Sequence, residues 1–190
     1  MIACFQFKTM NILQHGQSVH NKYLLLLNEL YNIKTPLHDF LPKIFKNESH
    51  CNWLKSKQLP IDIMQIYHWY HDCGKPDCLT VDENGKQHFP NHAAVSTEKF
   101  IIHSSHISNY KIIAELISKD MAFHTYSGDE LINLCKHEYA ASLYLTALAE
   151  VYSNAEMFGG YDSVSFKIKV KKLERAGNKL IALNTNIDLK

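Results

Sequence analysis

Pro60-Ile61-Asp62-Ile63-Met64-Gln65-Ile66-Tyr67-His68-Trp69-Tyr70-His71-Asp72-Cys73-Gly74-Lys75-Pro76 is the run that decides the architecture. Pro60 suits the first turn of a helix, where its missing N–H is not needed. Ile63, Met64, Tyr67 and Tyr70 then recur at helical spacing. Gly74-Lys75-Pro76 stops the helix, so His71 and Asp72 fall on its last turn. Adjacent side chains diverge by about 100° on a straight helix. At a helix end, both can still reach one ion held beside it. Imidazole nitrogen and carboxylate oxygen together suit Mn, Fe, Co, Ni, Zn or Mg.

The same period extends outward in both directions. Asn11 caps a helix to about Leu30, with Ile12, Val19, Tyr23, Leu26, Leu27 and Leu30 inward. Residues 32–59 are broken by Pro36 and Pro42, with a short helix near Lys43–Leu54. A polar loop over 77–88 carries the turn Asp82-Glu83-Asn84-Gly85. Pro90-Asn91 opens a helix to about His103, and Ser108 or Asn109 opens another to about His124. Ser127 with Glu130 forms a capping-box pattern ahead of a helical region that breaks near His137 and ends at Gly159-Gly160. From Val164 the chain fits both an alternating strand and a helix; the helical surroundings favour helix. The expected fold is all-α, a compact bundle of five to seven helices. One domain over 1–160 and a basic helical extension over 161–190 packed on it are expected.

The chain has 190 residues, 46% hydrophobic and 21% charged, enough to bury a core without staples. A formal net charge of +1 gives no global bias toward nucleic acid or membrane, so any charge argument is local. Lys167, Lys169, Lys171, Lys172, Arg175 and Lys179 form the one basic cluster, read as a solvated face. Five scattered cysteines without a CxxC pair argue against a zinc finger or a disulfide framework and point to a reducing cytoplasm. The apolar start Met1–Phe5 is too short for a signal peptide, and Leu24–Leu27 is far short of a membrane span. Twelve histidines, spread along the chain, are the compositional anomaly.

Beyond His71-Asp72-Cys73-Gly74-Lys75-Pro76 come a loop with Gly85 and then His88-Phe89-Pro90-Asn91-His92-Ala93-Ala94-Val95-Ser96. This order resembles the HD-domain metal-dependent phosphohydrolases, above all the HD domains attached to bacterial tRNA nucleotidyltransferases. The resemblance implies an HD-like bundle and a divalent ion held by His15, His71, Asp72 and Glu150. His15 precedes Val19 by four residues, which turns both inward. Glu150 stands where the family places its final aspartate. His92 and His124 are the candidates for a second ion. Asp120, read first as a solvated or helix-end acid, lies four before His124 and could share its helix face, and His68, one turn before His71, supports the site or stands on a wet face.

Asp72 is the candidate proton acceptor and Lys75 the cation facing substrate phosphate. The implied activity is metal-dependent hydrolysis of a nucleotide or an RNA-terminal (cyclic) phosphate ester. No nucleotidyltransferase portion is expected, since the chain begins almost at the first histidine. The rival readings are a nucleotide-binding or sequestering module without turnover, and a di-iron HD-type oxygenase.

Overall fold

The computed structural model describes residues 4–7 and 10–185. The last five residues of the expected C-terminal extension, and the start Met1-Ile2-Ala3, lie outside them. The described residues are predominantly helical, and the all-α class stands. In chain order the helices are α1 Ile12–Leu30, α2 Glu48–Ser56, α3 Ile61–Tyr70, α4 His92–Ser104, α5 Tyr110–Ser118, α6 Ala122–Thr125, α7 Gly128–Cys135, α8 Ala140–Ser153 and α9 Val164–Thr185. The strands described are two short antiparallel pairs, β1 Phe5–Phe7 with β2 Met10–Asn11 and β3 Thr80–Val81 with β4 Gln87–His88. No helix among the described residues is long and apolar enough to cross a membrane.

The chain divides into two units, Met1–His20 with Pro60–Met121 and Asn21–Leu59 with Ala122–Lys190. Helix α1 contributes its first half to one and its second half to the other.

In the first unit, α1 opens on a reciprocal cap. Asn11 Oδ1 accepts the Gln14 N–H at 2.8 Å, and Gln14 Oε1 accepts the Asn11 N–H at 2.9 Å. Helix α3 starts directly after Pro60 and packs on α5, which packs on α4. Gly16 sets how closely α1 approaches α3: a Cβ there would lie 2.4 Å from the His68 carbonyl oxygen. Gly74 does the same for the turn after α3, where a Cβ would lie 2.4 Å from the Ser96 nitrogen. The Gly74 N–H then donates to Ser96 Oγ at 2.9 Å, fixing that turn on the first turns of α4.

In the second unit, every residue of α8 from Ala140 to Tyr152 is buried. A helix buried on all sides needs cover on all sides. Part of that cover is α9, whose Phe166, Val170, Leu173, Ala176, Leu180 and Ile181 form a buried stripe. This stripe at helical spacing resolves the strand-or-helix ambiguity after Val164.

Several local expectations change. The single helix expected from Ser108 or Asn109 to His124 is two helices, because α5 tightens at its end: the Lys119 N–H reaches the Glu115 and Leu116 carbonyls, and the Asp120 N–H reaches Ile117. Asp120 and His124 therefore lie on separate elements and share no helix face. The segment near Lys43–Leu54 splits into a 3₁₀ turn, Lys43–Lys46, and α2, capped by Asn47 accepting the His50 N–H at 3.1 Å. Ser127 precedes α7, but its side chain makes no capping bond. Tyr70, expected inward, is 36% exposed.

Candidate metal centre

The centre is built at the end of α3. The His71 N–H bonds the Tyr67 carbonyl at 2.8 Å, continuing the helical path one residue past Tyr70. The Lys75 N–H then bonds the Asp72 carbonyl at 3.0 Å and folds the chain back. His71 Nδ1–H donates to the His68 carbonyl at 2.7 Å, which turns Nε2 toward Asp72. Nε2 lies 3.2 Å from Asp72 Oδ2.

Three more groups surround the Asp72 carboxylate. Lys75 Nζ donates to Oδ2 at 2.6 Å. His15, on α1, places Nε2 3.8 Å from Oδ2 and its ring centroid 5.4 Å from that of His71. His92, at the start of α4, places Nε2 3.6 Å from Oδ1. Its Nδ1–H donates to the Phe89 carbonyl at 2.9 Å, the same arrangement as at His71.

His15, His71, Asp72 and Lys75 are all buried. Burial alone would raise the Asp72 carboxyl. The His71 and Lys75 charges, the His71 hydrogen bond and the His15 charge outweigh it and hold the carboxyl well below the usual range.

This arrangement carries a chemical requirement. With Nδ1–H committed to a carbonyl, His71 and His92 each turn Nε2 toward a carboxylate oxygen. Two acceptors face each other stably only with a proton or a cation between them. Asp72 Oδ1 is buried and has no hydrogen-bond partner among the described residues. A buried carboxylate oxygen in that state is costly without a cation. The donor set, imidazole nitrogen with carboxylate oxygen, fits a divalent ion.

Asp120 joins the same cluster. One atom each from His71, Asp72 and Asp120 lies within 4.8 Å of the others. Ligands of one ion stand about 2.0–2.2 Å from it, so they lie up to about 4 Å apart. The sequence reading favours a solvated or helix-end acid at Asp120. It does follow the end of α5, but it is buried, and its Oδ1 accepts the Tyr67 hydroxyl at 2.6 Å.

His68 is fully buried, which removes the wet-face alternative. It acts on the centre through its main-chain carbonyl, while its ring Nδ1 lies 3.1 Å from His20 Nδ1. His20 escaped the sequence reading. Burial pushes its imidazole below the ordinary value. The signal was present: His20 is four residues after Gly16, the residue that touches α3, so it shares that face.

His124 and Glu150 belong to the second unit. There His124 Nε2 and Glu150 Oε2 are 2.8 Å apart, which partners the Glu150 carboxylate inside the buried helix α8. Lys172 Nζ donates to the His124 carbonyl.

Comparison with known proteins found no matching family model, no matching curated protein and no matching solved structure.

Proposed function

We propose that this chain is a metal-dependent phosphohydrolase of the HD type, acting on a nucleotide or an RNA-terminal phosphate ester. The observation that carries the reading is the Asp72 carboxylate, buried among three imidazoles and one ammonium, with two of those imidazoles turning Nε2 toward it. His71, Asp72 and Asp120 would hold a divalent ion, with His15 and His92 beside them. Bound there, the ion would acidify a water and polarise a phosphoryl oxygen.

The remaining roles fall to the chain. His68 and Phe89, through their carbonyls, fix the tautomers of His71 and His92. Lys75 keeps Asp72 ionised and adds positive charge against the substrate phosphate. Asp72 is the carboxylate placed to take the proton of the attacking water. The five free cysteines support a reducing compartment, and we place the protein in the cytoplasm on that ground.

A metal-resolved hydrolysis screen tests the proposal, with Mn, Mg, Co, Ni, Zn and Fe against a chromogenic phosphodiester, a phosphomonoester and a nucleotide panel. Turnover should require added ion, and His71→Ala and Asp72→Asn should abolish it and lower the bound metal while helicity persists. Unchanged metal stoichiometry in both variants would sink the centre. Metal binding without turnover of any substrate would sink the hydrolase reading in favour of a binding module.

A further inference from the structure

The second unit contains a cleft of about 580 Å³ that is separate from the residues of the metal centre. Its walls come from two segments, Asp39–Lys43 with Lys46 and Tyr161–Glu174. Four lysines line it: Lys43 and Lys46 on one wall, Lys167 and Lys171 on the other. Three acids share the lining, and two are engaged. Asp162 pairs with Lys167 at 3.3 Å, and Glu174 accepts the Lys43 backbone N–H at 3.0 Å. Among the described residues, the ammonium groups of Lys43, Lys46 and Lys171 have no carboxylate within ion-pairing reach.

The cleft also has an aromatic wall. Phe40 and Tyr161 stack with ring centroids 4.9 Å apart, and Phe166 meets the Tyr161 edge at 5.2 Å. Its volume falls in the range of small-ligand sites, roughly 300–1,000 Å³. The positive stripe is also short. Lys167 and Lys171 are four apart on α9, and Glu174 follows on the same face, which ends the run of positive charge. A long polyanion would need that stripe to continue, whereas a compact one does not.

We propose that this cleft binds a nucleoside di- or triphosphate, the lysines taking the phosphates and the Phe40–Tyr161 wall the base. Cationic side chains on facing walls suit a short chain of phosphates. A ring face beside them distinguishes a nucleotide from bare polyphosphate.

The test is equilibrium binding of a fluorescent adenosine triphosphate analogue to the full chain with chelator present, so that ions at the metal centre contribute nothing. Inorganic tripolyphosphate and a short single-stranded oligonucleotide serve as competitors. Both lysines to be changed are exposed, and helicity and thermal unfolding of each variant are checked alongside. The double variant Lys43→Glu with Lys171→Glu should weaken the analogue by about tenfold or more, the equivalent of about 1.4 kcal/mol. Lys46→Ala should weaken it less, and this second variant keeps the test decisive if the double one does not fold. Nucleoside triphosphate should compete better than tripolyphosphate. Absence of binding by the unaltered chain, or equal affinity in the lysine variants, overturns the proposal. So does an oligonucleotide that binds more tightly than the triphosphate, because the surface would then belong to nucleic acid.

Discussion

Tyr67 shows how much one hydroxyl can decide. Its ring is fully buried in the first unit, and its O–H donates to Asp120 at 2.6 Å. Phenylalanine would keep the ring and leave the buried carboxylate without that donor. A hydrogen bond to a charged group contributes about 1.5–3 kcal/mol. Tyr67→Phe should therefore lower stability by an amount on that order in urea unfolding. An unchanged midpoint would mean that Asp120 draws nothing from Tyr67. The sequence made Tyr67 legible as core, since it lies on the apolar period of α3. Its second role was not legible, because the partner is far along the chain and is brought near only by the packing of α5. Asp72 was legible for the opposite reason: its partners His71 and Lys75 are within three residues of it.

At the scale of elements, local chemistry set most boundaries. Asn11 and Pro60 stand at helix starts where their chemistry predicts them, Asn91 stands at one in the left-handed conformation without a side-chain cap, and the break near His137 falls between α7 and α8. What the sequence concealed was the end of α5, where no proline or glycine marks the stop. It also concealed the anchoring of the segment after α1. There Glu29, buried, accepts the Thr35 N–H at 2.6 Å and pairs with His38 Nδ1 at 2.8 Å. Burial would raise its carboxyl, but the His38 and Thr35 hydrogen bonds outweigh that and hold it below the ordinary value. A carboxyl lowered by folding binds fewer protons folded than unfolded, so its stabilisation is present above the ordinary glutamate value, roughly 4.3, and is lost as pH falls through the lowered one. Urea unfolding of Glu29→Gln should show the largest deficit near neutral pH, on the order of 1–3 kcal/mol. The gap should narrow in acid; a gap that holds its size there would show that the charge contributes nothing.

For the molecule as a whole, the all-α class and the approach of His15 and His71 to Asp72 were open to sequence reading, whereas His92 was set with His124 rather than with Asp72, and the course of the chain through two units was not legible. Residues 161–190 read as an extension packed on the domain, set apart by their charge. In the structure Phe166, Leu173 and Leu180 of α9 are buried in the second unit. Burying such side chains contributes about 1.5–3 kcal/mol each, so three together approach the total stability of a small protein, about 5–15 kcal/mol. Ending the chain after Gly160 should abolish cooperative unfolding of the second unit, and a truncated protein that melts with the full-length midpoint would contradict this. The division of α1 has its own consequence, for synthesis. Each unit needs one stretch from the first third of the chain and one from much later. As the ribosome makes the protein, the first unit stays incomplete until Met121 has emerged, and the second lacks part of α9 until Thr185 has. Closing such distant segments costs chain entropy before contacts repay it. The nascent chain should therefore wait, with α1 made early and its partners missing, and it is in that interval that a chaperone would matter most.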